Sequence, residues 1–182
     1  MAERLVLLID RIVTPIGELA ILADAAGRLR AVDWTEHDAD MRRRLRLHYG
    51  EGGFSLTPAA NPGGLSTAID AYFAGDFHAI DGLPVATGGT EFQRTVWRAL
   101  RGIPCGETLS YAALARRIGR EAAVRAVGLA NGSNPISIVV PCHRVIGSDG
   151  SLTGYGGGIE RKRWLLAHER RAHASPELPL IA

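Results

Sequence analysis

Tyr111-Ala112-Ala113-Leu114-Ala115-Arg116-Arg117-Ile118-Gly119-Arg120-Glu121-Ala122-Ala123-Val124-Arg125-Ala126-Val127-Gly128-Leu129-Ala130 reads as two helices broken at Gly119. Ser110 is placed to cap a helix over residues 111–118, because its hydroxyl can accept from a first-turn amide. The second helix runs from residue 121 to about 130, with Val124 and Val127 turned inward. Two short helices joined through a glycine have the length and break of a helix-turn-helix. The second helix is rich in small residues (Ala122, Ala123, Ala126, Gly128, Ala130), and beyond Arg125 it offers little that reads bases. A helix that reads the major groove presents Arg, Asn, Gln or Glu. Small residues suit close backbone approach to a duplex without a sequence code, as in the minor groove. They equally suit an Ala-rich core helix, and the residues alone leave both open.

Working outward, Phe92, Val96, Trp97 and Leu100 fall at i, i+4, i+5 and i+8, an amphipathic helix that ends before Pro104. Downstream, Asn131-Gly132-Ser133-Asn134-Pro135 is a loop. Residues 136–140 are a β-branched run read as a buried strand, which delivers Pro141-Cys142-His143-Arg144. A turn at Ser148-Asp149-Gly150, the glycine-rich residues 154–158 and a helix from 160 to about 170 complete this half. In the first half, residues 4–13, 19–24 and 29–34 are short strands separated by turns, which predicts a small antiparallel sheet. Residues 40–49 and 65–74 have helical spacing, residues 50–64 read as loop, and residues 75–89 are irregular. The expected organisation is α/β (α+β) with two domains, residues 1–88 and 89–171, and a loose tail at 172–182.

The chain has 182 residues, 46% of them apolar and 22% charged, which fits a globular protein with a real core. Two cysteines, Cys105 and Cys142, exclude a secreted disulfide framework and a four-cysteine zinc site. No apolar run approaches the roughly 18 residues that span a bilayer. Met1-Ala2-Glu3-Arg4 leads straight into a strand pattern, so no signal peptide and a reducing, cytoplasmic setting are expected. Residues 1–87 hold 8 Arg against 12 Asp and Glu, a balance of −4, whereas residues 88–171 carry +7. A basic half fits a polyanion partner; an arginine-rich composition, with 20 of 21 basic residues Arg, accounts for it as well.

Cys142 is the sharper chemical signal. His143 and Arg144 follow it, and neighbouring cations raise a thiolate fraction. Adjacent residues on an extended chain point to opposite faces, so a relay from Cys142 to His143 through a water is more natural than direct contact. The commonest fate of a free cysteine is a small buried hydrophobe, and the residues leave that open too. Cys105, between Pro104 and Gly106, reads as structural. Residues 154–158 match a dinucleotide fingerprint poorly; they fit a loop that lets a flat ligand approach the backbone.

Taken together, Pro141-Cys142-His143-Arg144-Val145-Ile146-Gly147, Gly154-Tyr155 and Leu165-Leu166-Ala167-His168-Glu169 closely resemble the O6-alkylguanine-DNA alkyltransferases, also called methylated-DNA–protein-cysteine methyltransferases, in their constitutive bacterial form. The likeness extends through Asn131-Gly132-Ser133-Asn134-Pro135, Arg125-Ala126-Val127-Gly128, Ile103-Pro104-Cys105-Gly106-Glu107-Thr108, Tyr72-Phe73-Ala74-Gly75 and Asn61-Pro62-Gly63-Gly64-Leu65. It implies a ribonuclease H-like first domain and a mostly helical, winged-helix-like second domain with a helix-turn-helix. It implies repair by direct, stoichiometric transfer of the alkyl group from O6-alkylguanine, and from O4-alkylthymine, to the protein's own cysteine. By motif position Cys142 is the acceptor, His143 takes its proton through a water, and Glu169 orients His143. Asn134 holds the turn before the cysteine, and Tyr111 donates to N3 of the leaving guanine. Arg125 fills the gap left by the flipped base, on a helix whose Ala123, Ala126 and Gly128 meet the minor groove. Val145, Tyr155 and Gly156 line the pocket.

The partner implied is double-stranded DNA carrying O6-alkylguanine, met by a monomer without membrane, metal or cofactor. With no Cys before 105, the structural zinc of some animal members has no ligands here. Gly156 stands where some members have a hydroxyl residue, which opens the pocket to bulkier alkyl groups. Two other classes compete. A lesion-binding protein without transfer lacks the cysteine that is present here. A Cys–His hydrolase needs a histidine remote in sequence.

Overall fold

The computed structural model describes residues 4–173. Strand β1 (Leu5–Thr14) turns at Pro15-Ile16 into β2 (Gly17–Asp24), and β3 (Leu29–Trp34) returns beside it. Both pairings are antiparallel, with Thr14 opposite Gly17 and Leu19 opposite Trp34. β2 is buried from Leu19 to Asp24 because both faces of the sheet are covered. Ala20 and Leu22 pack with Leu7, Ala31, Met41 and Leu45, the last two from α1 (Asp38–Tyr49). Leu19, Ile21 and Ala23 point the other way into the main core, with Leu65, Ile69 and Tyr72 of α2 (Leu65–Ala74).

Two expectations for this half change. The sheet has four strands, not three, and is mixed: β4 (Phe54–Pro58) runs parallel to β1, giving the order β3-β2-β1-β4. It lies in the stretch read as loop, where glycines before it and prolines after it dominate the pattern. Yet Phe54, Leu56 and Pro58 alternate with Ser55 and Thr57, and Pro58 closes an edge strand where its missing donor costs little.

In the second half α3 (Glu91–Leu100) starts on a capping box. The Thr90 hydroxyl accepts from Gln93 N, and the Gln93 side chain accepts from Thr90 N. Val96, Trp97 and Leu100 are buried, and Trp97 Nε1 donates to Ala130 O at 2.8 Å. α4 (Tyr111–Arg117) is capped by Ser110 as expected, its hydroxyl accepting from Ala113 N at 3.1 Å. Gly119 breaks the chain at φ +67°, a conformation open to glycine. One 3₁₀ turn, Glu121–Ala123, leads into α5 (Val124–Gly132). Two short parallel strands, β5 (Leu109–Ser110) and β6 (Val145–Ile146), and α6 (Ile159–Arg170) complete the unit.

The buried strand expected at residues 136–140 is not there. Ile136 makes a single bridge to Val32, and the chain then coils, with Val139 N bonded to Ser137 O and Val140 N to Ile136 O. Ile138 sits at φ +72°, strained for a β-branched side chain and held by complete burial. The reason is Asn134. Its amide nitrogen reaches Val140 O at 2.7 Å and Ile136 O at 3.2 Å, and its oxygen accepts from Ile136 N at 3.0 Å. These are backbone groups that a ladder would otherwise need. No helix among the described residues is long and apolar enough to cross a membrane. Of the expected tail, residues 174–182 lie outside the described residues, as do Met1, Ala2 and Glu3.

Candidate active site

The coil at 136–140 ends at Pro141, and Cys142–Arg144 form one 3₁₀ turn. Cys142 is 6% exposed. Its Sγ lies 3.1 Å from Asn134 Nδ2 and opens into a cavity of about 160 Å³. Asn134, Ser137, Tyr155 and Gly156 line that cavity, as do four residues from the first half of the chain: Asp33, His37, Asp40 and Arg44. Val145 is not in its wall; it is fully buried in β6.

The turn, not an extended strand, separates His143 from the sulfur. His143 is completely buried, and its Nε2 lies 2.8 Å from Glu169 Oε1. A carboxylate only accepts, so Nε2 carries the proton and Nδ1 presents its lone pair. That Nδ1 is buried and has no hydrogen-bond partner among the described residues. Burial holds the imidazole below its usual pKa, against the pull of Glu169. A neutral ring held this way can accept a proton at Nδ1.

Glu169 is the hub of the site. Burial opposes its ionisation, but His143 and Arg144 outweigh this and hold its carboxyl well below the usual range. Arg144 grips it with two bonds, Nε to Oε2 at 2.8 Å and Nη2 to Oε1 at 2.9 Å. Gly106 N donates at 3.3 Å, and the buried Tyr72 hydroxyl of α2 donates to Oε1 at 2.8 Å. Cys105 also leans on this carboxylate, and burial with the Glu169 charge pushes its thiol up to about 12.

The expectation that His143 and Arg144 enrich the Cys142 thiolate is corrected. Burial pushes the Cys142 thiol up to about 11, with the Asn134 amide and the Lys162 ammonium pulling it back. His143 is held neutral and Arg144 is committed to Glu169, so neither offsets burial. At rest Cys142 is a thiol and needs a base.

Several residues that sequence reasoning missed hold this arrangement. Lys162, fully buried on α6, donates to Val145 O at 2.6 Å and Thr153 O at 2.8 Å. Arg161 moors the glycine-rich loop: it lies 4.8 Å over the Trp34 ring and donates to Gly157 O and Ile16 O. Gly157 has to be glycine, because a Cβ there would stand 2.7 Å from the Trp34 ring. Lys162 and Arg161 carry no local signature; only the packing of α6 on the sheet reveals them.

Tyr111 is not in the cavity wall; its hydroxyl donates to Thr153 O at 3.4 Å. Its ring underlies Gly128, where an added Cβ would lie 3.8 Å away. Arg125 and Ala126 are exposed on α5, Ala123 and Gly128 half-buried. Arg116, in α4, and Arg120, in the turn that follows it, are exposed too and were not singled out from sequence; the +7 balance was the signal. Arg116, Arg120 and Arg125 have no acidic partner among the described residues. Among the described residues no cluster of three or more His, Cys, Asp and Glu is placed to hold a metal ion.

Residues 91–171 match the family described as 6-O-methylguanine DNA methyltransferase, DNA binding domain. A methylated-DNA–protein-cysteine methyltransferase of Shigella flexneri is 56% identical over 163 residues, 90% of this chain and 95% of that protein. One from Mycobacterium bovis is 58% identical over 142 residues, 76% of this chain and 84% of that protein. Among solved structures, the Mycobacterium tuberculosis O6-methylguanine methyltransferase superposes with a TM-score of 0.76 at 40% identity, covering 97% of this chain and 99% of that one. The same organism's OGT in complex with DNA gives 0.74 at 42% identity, covering 90% and 93%. Across nine-tenths of its length, then, with the cysteine turn and its glutamate hub included, the chain belongs to the methylated-DNA–protein-cysteine methyltransferase family.

Proposed function

We propose that this protein repairs O6-alkylguanine in double-stranded DNA by moving the alkyl group, once, onto Cys142 Sγ. O4-alkylthymine presents the same alkyl–oxygen bond and is a second substrate. The proton on Sγ passes through a water to His143 Nδ1. An S–C bond forms as the C–O6 bond breaks; guanine leaves as its anion, with a hydrogen bond to N3 from the Tyr111 hydroxyl once that turns from Thr153 O, and then takes a proton from water. No metal or cofactor is needed for a sulfur nucleophile to attack a saturated carbon. The thioether left on Cys142 has no leaving group for water to displace, so each chain reacts once. The observation that carries this reading is the neutral His143, fixed by Glu169 through Nε2 and left with a buried Nδ1 that can accept a proton, in the cysteine turn. The test is a titration of protein against a duplex carrying O6-methylguanine. Restored guanine should rise to the molar amount of protein and stop; continued product formation would refute single use.

DNA is the partner, met by a monomer through the minor groove with the damaged base flipped into the Cys142 cavity. Exposed Arg116, Arg120 and Arg125 around small residues support phosphate contact with little base readout. The sheet order β3-β2-β1-β4 supports a ribonuclease H-like first domain, residues 1–88. The α4–α5 pair beside β5 and β6 supports a helix-turn-helix in a winged-helix-like second domain, residues 89–171. A cytoplasmic setting fits this work. A side chain at Gly156 would stand in open space, so its absence leaves room for bulkier alkyl groups.

Two expected outcomes follow. Arg125→Ala should slow repair of duplex DNA by about tenfold or more, because a few kcal/mol of lost stacking goes uncompensated. The same variant should react with free O6-benzylguanine at the native rate, since a free base needs no flipping; paired rate constants check this. Affinity for undamaged duplex should fall with salt at about 0.9 log unit per phosphate contact. Arg116→Ala and Arg120→Ala should each reduce that slope by about one contact, as binding at several salt concentrations reads directly.

A further inference from the structure

The cavity at Cys142 has a wall from the other end of the chain. Asp33 follows Ala31 on the face of β3 that packs against α1, and its side chain is only 8% exposed. Its Oδ1 accepts from Trp34 N at 2.9 Å, and Arg44 of α1 pairs with its Oδ2. His37 Nδ1 lies 3.7 Å from Oδ1. Asp33, His37, Asp40 and Arg44 all line the space that Cys142, Asn134 and Tyr155 line from the opposite side. The titratable groups around the cavity are therefore Asp33, Asp40, His37 and Arg44 in its wall, with Lys162 acting on Cys142 and neutral His143 behind.

A buried carboxylate facing a thiol that must ionise opposes the reaction, because two like charges in one low-dielectric space repel. The acid also ties β3 to α1, through its pairing with Arg44. With Arg44 docked on it, its charge is balanced before it is felt at Cys142. We propose that the Asp33–Arg44 pair is an electrostatic control on the acceptor site, in which Arg44 neutralises the carboxylate in the cavity wall and so sets how readily Cys142 gives up its proton. Arg44 is a positioning residue that acts through Asp33 and touches no reacting atom. The inference rests on Cys142 as the acceptor and adds a first-half residue that tunes it. Burial pushes the Asp33 carboxyl upward against the pull of Arg44, and Asp33 in turn works against ionisation of Cys142.

The signs are separable by substitution. Arg44→Gln leaves an unpaired carboxylate and should disfavour the thiolate. Asp33→Asn keeps the acceptor for Trp34 N, leaves an unpaired guanidinium and should favour it. The double variant restores neutrality. The probe is iodoacetamide, with the rate of modification of the Cys142 peptide followed by mass spectrometry from pH 7 to 10. One unit of pKa shift changes the ionised fraction about tenfold. At pH 9 we expect Arg44→Gln about tenfold slower than native, Asp33→Asn several-fold faster, and the double variant within about threefold of native. Arg42→Gln removes a like charge from the same helix, where Arg42 pairs with Asp38 at 2.6 Å, and should leave the profile unchanged. A lost fold would expose Cys142 and speed both single variants alike, and neither that nor a shifted pocket would be rescued by the second substitution. Equal profiles for native and Arg44→Gln, or no rescue in the double variant, would overturn the proposal. The native protein is treated in parallel with O6-benzylguanine: failure of that reagent to label Cys142 would sink the acceptor reading itself, independently of the iodoacetamide series.

Discussion

Cys142→Ser protein is expected to bind duplex DNA carrying O6-methylguanine and to transfer nothing. Serine keeps the shape of the site and the contact with Asn134 Nδ2, which lies 3.1 Å from the native sulfur. What it loses is the nucleophile. A thiol at about 11 can be ionised in the course of attack by a base reached through a water, whereas a serine hydroxyl in the same burial stays protonated. Repair should therefore fall below detection while lesion binding, read by fluorescence anisotropy, stays within a few-fold of native. Transfer by Cys142→Ser at a measurable fraction of the native rate would move the acceptor elsewhere. Cys105 is a poor second, its thiol being pushed up to about 12 against Glu169.

Glu169→Gln is expected to lower the transfer rate by about 10²-fold or more, the usual contribution of a positioned acid–base group. The amide can present its nitrogen to His143 Nε2, which turns the ring toward the wrong tautomer and takes the lone pair from Nδ1. It also strands Arg144, whose two bonds to the carboxylate are buried. Breaking a buried pair on one side costs about 3–5 kcal/mol, so stability must be measured beside rate. His143→Asn separates the two effects: it removes the base and leaves the Arg144–Glu169 pair, so the rate should fall with a smaller loss of stability. The linkage has a definite sign. The Glu169 carboxyl is depressed in the folded state, so its contribution is complete above the unfolded carboxyl pKa near 4.5 and is lost as pH falls toward the depressed value. Native protein should lose stability through this acid window, and Glu169→Gln should lose less of it. Native transfer rates in a folded Glu169→Gln protein would remove the glutamate from the mechanism.

Elements with a strong local period were legible from sequence. The Phe92–Val96–Trp97–Leu100 stripe, the Ser110 cap and the break at Gly119 stand where the pattern puts them, because helix spacing and capping are decided within a few residues. The run at 136–140 misleads because its backbone groups are claimed by one side chain, Asn134, outside the run. β4 was hidden by its neighbours: five residues between glycines and prolines carry a weak alternation, and only parallel pairing with β1 makes them a strand. At the site, the residues near Cys142 in sequence could be named, but their electrostatics could not. The prediction of a cation-enriched thiolate from adjacent His143 and Arg144 fails because burial and the prior claim of Glu169 decide both charges. Tyr72, Asp33, Arg44 and Lys162 reach the site from segments remote in the chain, and no spacing rule connects them to it.

The central claim, one alkyl group per chain on Cys142, is tested most directly by intact-mass and peptide mass spectrometry. Native protein is mixed with excess duplex carrying O6-methylguanine and sampled to completion. The account predicts a single species heavier by one methyl in place of one hydrogen, the whole gain mapping to the Cys142 peptide, with no further change on longer incubation. Unmodified protein after the duplex has been repaired, or a methyl group on any other residue, would contradict it.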